Sequence, residues 1–374
     1  MRIFFDKTVV GSSKSFMWDD GRIDLTADHD NAWRMDLGHS RFNSVRHISE
    51  AAGCDLKIRP KNPHALFWMK HTDKPEWYRI LSKTDMAKHL QTQVNTVVGF
   101  MNDERNAYYV NQYQRQQKLL DSLQPIKATR DDEAHGVKLN REGFASVPHY
   151  DNISSATGRM SITDGPRILT MPKDSRSIFT SRWGTDGALL EIDYNALELR
   201  VLAWIQGLDI NMTDAYMWVA NQIDDVDVPR HVIKESILAA MYGMSRKNFA
   251  LRYQDMPDAV DVYDSVRSLL GIHELEAKLG KGDFANAFGR HLADTTARIS
   301  HYVQSSAVDV ACDGFMHLVD HMPEVVPCFI IHDALVIDVH KDNVDAVKKF
   351  CKDGLRVGII DQQLEVRLRS FGSE

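Results

Sequence analysis

Glu191-Ile-Asp193-Tyr-Asn-Ala-Leu-Glu198-Leu-Arg200-Val-Leu-Ala203 is the stretch on which the reading of this chain turns. The apolar run from Ala188 to Ile192 predicts a buried strand that ends on a carboxylate. Glu198 and Arg200 then fall in the first turns of a helix. A rigid strand ending in an exposed Asp suits a divalent-metal site, because Mg²⁺ prefers oxygen ligands on a fixed mount. Asp at a strand end serves equally well as a helix N-cap. The segment by itself leaves both open.

A second stretch, Phe329-Ile-Ile-His332-Asp333-Ala-Leu-Val336-Ile-Asp338-Val, has apolar runs flanking a His-Asp pair. This predicts a β-hairpin with polar residues at its tip. If its strands neighbour the one ending at Asp193, the two carboxylates can share a pair of metal ions. A hairpin with a satisfied His and a solvated Asp fits the same residues. A third stretch runs from Pro229 to Gly243, and those two residues bracket a helix. Arg230, Lys234, Leu238 and Tyr242 follow one side of it, while Ile233, Ile237, Ala240 and Met241 form an apolar stripe beside them. Cations spaced by four can line a polyphosphate, and an aromatic further along can stack on a base. A solvated amphipathic surface helix explains the spacing too.

The 374 residues carry 45 Lys and Arg against 52 Asp and Glu, a net charge of −7 that gives no general attraction to nucleic acid. Local patterning runs the other way between Arg115 and Arg182, where basic residues, among them Lys127, Lys138, Arg141, Arg159, Arg167, Lys173, Arg176 and Arg182, outnumber the acids. Cys54, Cys312, Cys328 and Cys351 are scattered without metal-ligand spacing, which predicts a reduced, cytoplasmic setting. No apolar run reaches membrane-spanning length and no secretory signal opens the chain, so no membrane partner is expected. Strands are predicted at Arg2 to Val10 and near His64 to Met69, and a helical region from Asp85 to Leu123 with a start signal at Asn102-Asp-Glu. Lys127 to Ser155 reads as an extended connection. A long helix is expected from about Asp294 to Val319 and a final strand near Leu364 to Leu368.

Together and in order, the three stretches resemble the DNA polymerase I family (family A). Asp193-Tyr-x-x-x-Glu198-Leu-Arg200 is similar to its first palm motif, Arg230-x-x-x-Lys234-x-x-x-Leu238-x-x-x-Tyr242-Gly243 to its fingers helix, and His332-Asp333 to its second palm motif. Ala156-Thr157-Gly158-Arg159-Met160-Ser161, with Asp164 and Met171-Pro172, resembles the family's Thr-Gly-Arg segment. Val303-Gln304 matches a helix carrying a primer–template contact. The resemblance covers roughly residues 100–374.

The resemblance implies an α+β, right-hand polymerase fold with an antiparallel-sheet palm, helical fingers and a helical thumb. It divides the chain into an N-terminal region of unknown role (1–85), thumb-like helices and connection (86–155), palm (156–207), fingers (208–290) and returning palm (291–374). For the segment from Asp85 to Leu123, a long helix packed into a core explains the pattern as well as a thumb does. The implied activity is template-directed DNA synthesis by two-metal nucleotidyl transfer, with primer–template DNA and deoxynucleoside triphosphates as partners. Asp193, Asp333 and the Tyr194 carbonyl would hold two Mg²⁺ ions, with Mn²⁺ as a substitute. Arg230 and Lys234 would bind the triphosphate, and Lys234 would act on the leaving group. Tyr242 would lie at the template base, Leu238 against the nucleotide, and Glu198 against a 2′-hydroxyl. Arg159, Gln304 and His332 would contact DNA.

Three departures stand out. Leu238 replaces an aromatic, Ala334 an acidic residue after His-Asp, and Asn195-Ala196 a Ser-Gln pair. Residues 1–100 are too few for a proofreading exonuclease, so none is expected in this chain; a separate exonuclease or processivity subunit is compatible with that. The compact form is similar to a phage polymerase, which would act in the host cytoplasm. Two alternatives remain at this point: a single-subunit RNA polymerase, which would be expected to lack Glu198, and a non-catalytic DNA-binding accessory subunit.

Overall fold

The computed structural model describes residues 83–151, 155–210, 214–223 and 228–372, together with four short strands before residue 36. It divides into two compact units, 1–121 with 149–153, and 122–148 with 154–374. In the first unit, strands Arg22–Asp24, Phe16–Asp19, Arg2–Phe5 and Trp33–Met35 lie in that order in one sheet. The strand expected to reach Val10 is described only as far as Phe5, and the one near His64 lies outside the described residues. The helical region forms as two helices, Lys83–Asn102 and Ala107–Ser122. The break falls at the expected start signal: the Asp103 carboxylate accepts from the Arg105 backbone N–H at 3.0 Å and caps the turn between them.

The second unit is built around one antiparallel sheet. Its central strand β1 (Gly187–Tyr194) is followed by α1 (Leu197–Ile205). A helical layer comes next: α2 (Ala215–Ala220), α3 (Arg230–Met241), α4 (Arg246–Arg252), α5 (Pro257–Leu269) and α6 (Ile272–Leu279). The long α7 (Arg298–His321) returns the chain to strands β2 (Val326–Ile331) and β3 (Ala334–His340). Helix α8 (Val344–Cys351) precedes the last strand of the sheet, β4 (Val366–Ser370). The sheet order is β2-β3-β1-β4. Helix α7 starts at Arg298 instead of near Asp294, because Asp294 is engaged before it: its N–H donates to Asp283 at 3.0 Å and its carboxylate pairs with Arg298.

Alternation along β1 sends its side chains to two faces. On one face Leu189 joins a core with Phe329, Val336, Ala334 and Phe371. That core also takes in Ile126 and Phe179 from a small sheet in which Ile126–Ala128 pairs with both Phe144–Ala145 and Phe179–Thr180. The segment expected as an extended connection therefore supplies strands to this unit. On the other face Tyr194 packs against Phe315 of α7 at a ring separation of 5.2 Å. A Cβ on Gly314 would lie 1.9 Å from the Tyr194 hydroxyl, so only glycine lets α7 pass there. Asp338, fully buried on β3, is satisfied by the Ser181 hydroxyl at 2.6 Å, the Arg182 N–H at 2.8 Å and the Arg182 guanidinium at 3.2 Å.

The helical layer has its own core. Val232, Ile233, Ile237, Ala240 and Met241 of α3 are buried among Phe249, Tyr263, Val266 and Ile272. Arg230, Lys234 and Tyr242 are left exposed and Leu238 half-buried, the division expected from helical spacing. No helix among the described residues is long and apolar enough to cross a membrane.

Candidate active site

Asp193 and Asp333 meet because β1 and β3 are hydrogen-bonded neighbours. The register pairs Asp193 with Ala334, and the Tyr194 N–H donates to the Asp333 carbonyl at 3.2 Å. Asp333 sits in the two-residue turn joining β2 to β3, whose other member, His332, has a φ of 56°. That left-handed value costs a non-glycine residue about 1 kcal/mol or more. Ala196, at φ 53° just after β1, is in the same region. Both carboxylates are thus flanked by backbone that is held in place by the surrounding structure.

The electrostatics follow from burial. Asp193 is pushed up to about 6 by desolvation and then by the neighbouring Asp333, against the opposing pull of Arg369. Asp333 is also raised, by burial first and by the nearby Glu198. Two carboxylates that resist ionising side by side are relieved by a hard divalent cation. Among the described residues no group of three or more His, Cys, Asp or Glu side chains is arranged to hold an ion alone. Mg²⁺ needs no such cage: it is commonly held by one or two carboxylates, with water and substrate phosphates completing its shell. The donor set fits it.

The pH dependence of stability has a definite sign. The folded-state value of Asp193 lies above the ordinary 3.8, so its contribution is most favourable below about 4 and is lost as pH rises through about 6. In chelator, Asp193→Asn is therefore expected to be more stable than wild type above pH 6 and equal to it below pH 4. Allowing for solvent screening of a side chain one quarter exposed, the gain is on the order of 1 kcal/mol. Thermal melts from pH 4 to 8 check this; a constant difference across that range would contradict it.

Glu198, at the start of α1, draws two separated elements together. It accepts from the Tyr242 hydroxyl at the end of α3 and pairs with Arg159. Burial and this bond to Glu198 hold the Tyr242 phenol protonated. The partner of Arg159 therefore comes from α1, distant in sequence. Arg159, Glu198, Gln304, His332 and Asp333 line one cleft, floored by Ala307, Ala311 and Phe315 of α7. Burial, then Arg159 and Arg176, push the His332 imidazole down, which favours its neutral form. Arg200 does something different. It is buried, pairs with Glu365 at 2.8 Å and donates to the carbonyls of Asn195 and Ile210, so it ties the start of α1 to the approach to β4.

Arg230 and Lys234 stand over a ring that the sequence motifs did not single out. Tyr216 of α2 has the Arg230 guanidinium 5.5 Å and the Lys234 ammonium 5.6 Å from its centroid. Asp214 caps α2 through the Tyr216 and Met217 N–H groups, both at 3.1 Å, and holds Arg230 at 2.7 Å. Burial, followed by Glu198, raises the Tyr216 phenol, which puts this ring within the field of the carboxylate site. Two further residues were missed: Glu191 and Arg369, paired across β1 and β4 beside Asp193. Only the strand register reveals them.

The unit defined here is an α+β domain whose sheet brings two carboxylates to one edge, beside a cleft linked through Glu198 to a cation-bearing helix. No family model matches the chain. The DNA polymerase of Mycobacterium phage L5 is 29% identical over 245 residues, which are 59% of this chain and 40% of that protein. The thermostable DNA polymerase I of Thermus aquaticus is 24% identical over 273 residues, 62% of this chain and 32% of that protein. The chain thus spans about a third to two fifths of the length of these relatives. Among solved structures, the POL domain of Pol1 from M. smegmatis, in complex with DNA primer-template and dNTP, aligns over 88% of this chain and 64% of that one, at a TM-score of 0.46 and 17% identity. The chain is thus similar in sequence to phage and bacterial DNA polymerases.

Proposed function

We propose that this chain carries out template-directed DNA synthesis, adding deoxynucleotides to a primer 3′ end with release of pyrophosphate. The observation that supports the reading is the placement of Asp193 at the end of β1 beside Asp333 in the turn before β3, in one unit with Arg230, Lys234 and the Glu198–Tyr242 contact. Asp193, Asp333 and the Tyr194 carbonyl would hold two Mg²⁺ or Mn²⁺ ions, which when bound activate the primer hydroxyl and neutralise the triphosphate. The right-hand arrangement is part of the proposal, with Lys83–Asn102 and Ala107–Ser122 as thumb helices and α2 to α6 as fingers.

The protein's own groups have distinct tasks. Arg230 and Lys234 bind the triphosphate, which must compete with Asp214 for the Arg230 guanidinium. Lys234 neutralises or protonates the departing pyrophosphate. Leu238 offers the nucleotide an apolar contact, softer than an aromatic ring. Tyr242 lies at the template-base position, while Arg159 and Gln304 read minor-groove acceptors and His332 meets the primer end. Primer–template DNA and deoxynucleoside triphosphates are the partners, in the cytoplasm of a phage host. A separate exonuclease or processivity subunit would complete the assembly.

Primer extension in Mg²⁺ with deoxy- and ribonucleotides tests the reading. Deoxynucleotide-selective extension is the expected result; tight template binding without extension would favour a non-catalytic accessory. Glu198 is the proposed barrier to a 2′-hydroxyl. Glu198→Ala is expected to raise relative ribonucleotide incorporation roughly tenfold or more. It also frees Tyr242 and Arg159, so deoxynucleotide incorporation should slow at the same time. Unchanged sugar selectivity would exclude this role.

A further inference from the structure

Glu191 and Asp193 lie two residues apart on β1 and so share a face of the sheet. Across from them on β4 the register places Arg369 opposite Glu191 and Arg367 opposite Asp193, with Ala334 opposite Asp193 on the other side. Arg369 forks between the two acids. Its Nε donates to Glu191 Oε1 at 3.1 Å, its Nη2 pairs with the same oxygen, and Nη2 reaches Asp193 Oδ2 at 3.2 Å. The Glu191 side chain is 8% exposed, so its charge requires a permanent partner. From Arg369, Asp193 receives the longer, diagonal contact, and Arg367 adds a second, weaker positive field from directly across the strand pair.

We propose that Arg369, docked on Glu191, is a resident counter-cation for Asp193 that opposes metal binding there and so sets the metal affinity of the site. The inference rests on Asp193 being a metal ligand. An arriving ion need break only the Asp193 contact, because Glu191 keeps the guanidinium in place. Arg369 then remains as a nearby positive charge, weakening the hold of Asp193 on the ion. Affinity is kept low enough for the ion to be retained chiefly when a triphosphate supplies the remaining oxygen ligands. Arg369 and Glu191 are positioning residues in this scheme, and neither touches substrate.

The two halves of the pair should therefore act in opposite directions. Mn²⁺ binding to the nucleotide-free chain, followed by electron paramagnetic resonance, gives a readout independent of turnover. Arg369→Met is expected to tighten Mn²⁺ binding about threefold to tenfold, the scale of one screened charge a few ångströms from a divalent ion. Glu191→Gln should weaken it by a similar factor, and the double variant should return close to wild type. Arg369→Lys, which keeps the charge without the fork, should stay within about twofold of wild type. Singles that move affinity in the same direction, or not at all, would reduce the pair to a cross-strand ion pair and overturn the proposal. So would a wild-type chain that binds no Mn²⁺, or binding that survives Asp193→Asn. Primer extension on the same preparations separates the two readings. Opposite shifts without extension retain the counter-cation and sink the polymerase; extension with parallel shifts does the reverse.

Discussion

Asp333→Asn is expected to slow primer extension by on the order of a thousandfold, about 4 kcal/mol of barrier, while leaving the chain folded. Asparagine matches the shape of aspartate, and the Asp333 carboxyl already resists ionising because it is buried. Removing its charge therefore costs the fold little. What is lost is half of an anionic pair whose neighbour, Asp193, cannot move closer, since the β1–β3 register fixes both backbones. Single-turnover extension measures the effect, with fluorescence anisotropy on labelled primer–template as the control for binding. Binding should be nearly unchanged. Extension within tenfold of wild type would remove Asp333 from the chemistry and the two-metal proposal with it.

The largest stability effect is expected away from the carboxylates. Arg290 and Asp309 form an ion pair at 2.5 Å, with both side chains under 5% exposed, and Asn286 donates to the same carboxylate at 2.6 Å. Asp309→Ala would take its carboxylate partner from a buried guanidinium, costing about 3–5 kcal/mol in a urea-unfolding measurement. Replacing the pair together, as Arg290→Met with Asp309→Leu, should recover most of that loss. The pair also supports the site. Gly158 has a φ of 72°, and a Cβ there would lie 2.7 Å from Arg290 Nη1, so the Thr157–Gly158–Arg159 turn rests directly on the guanidinium. Even a stable double variant should therefore hold Arg159 less firmly against Glu198 and extend primers more slowly. Full activity in that variant would show that the turn needs no such floor.

The contrast between these sites explains what could be read from sequence. Asp193, Asp333 and the exposed Arg230–Lys234–Tyr242 side of α3 were legible because each is fixed by local periodicity: an apolar run, a hairpin, a helical repeat. Their mutual positions needed only the assumption that two apolar strands pair. Tyr216, Asp214, Glu191 and Arg369 were not legible, because their roles arise from contacts between elements. Arg369 looks like an ordinary exposed cation on an edge strand until the register sets it opposite Glu191. Tyr216 belongs to a six-residue helix too short to show a pattern. The partner of Arg159 could not be read from its neighbours in sequence, because the fold supplies Glu198 from 39 residues away. The start of α7 shifted where side chains engaged the backbone and carboxylate of Asp294.

The sheet order also sets a timetable for synthesis. Strand β1 is made well before both strands that flank it, Ala334–His340 and Val366–Ser370. A ribosome working at about 5–20 residues per second would make them roughly 140 and 170 residues, or about 7–35 s, after Tyr194. For that interval an apolar strand has two unpaired edges in a nascent chain, and the helices of the intervening layer can pack before it does. Chaperone occupancy of the growing polypeptide should therefore begin soon after residue 194 emerges and persist until the hairpin bearing Asp333 has cleared the exit tunnel.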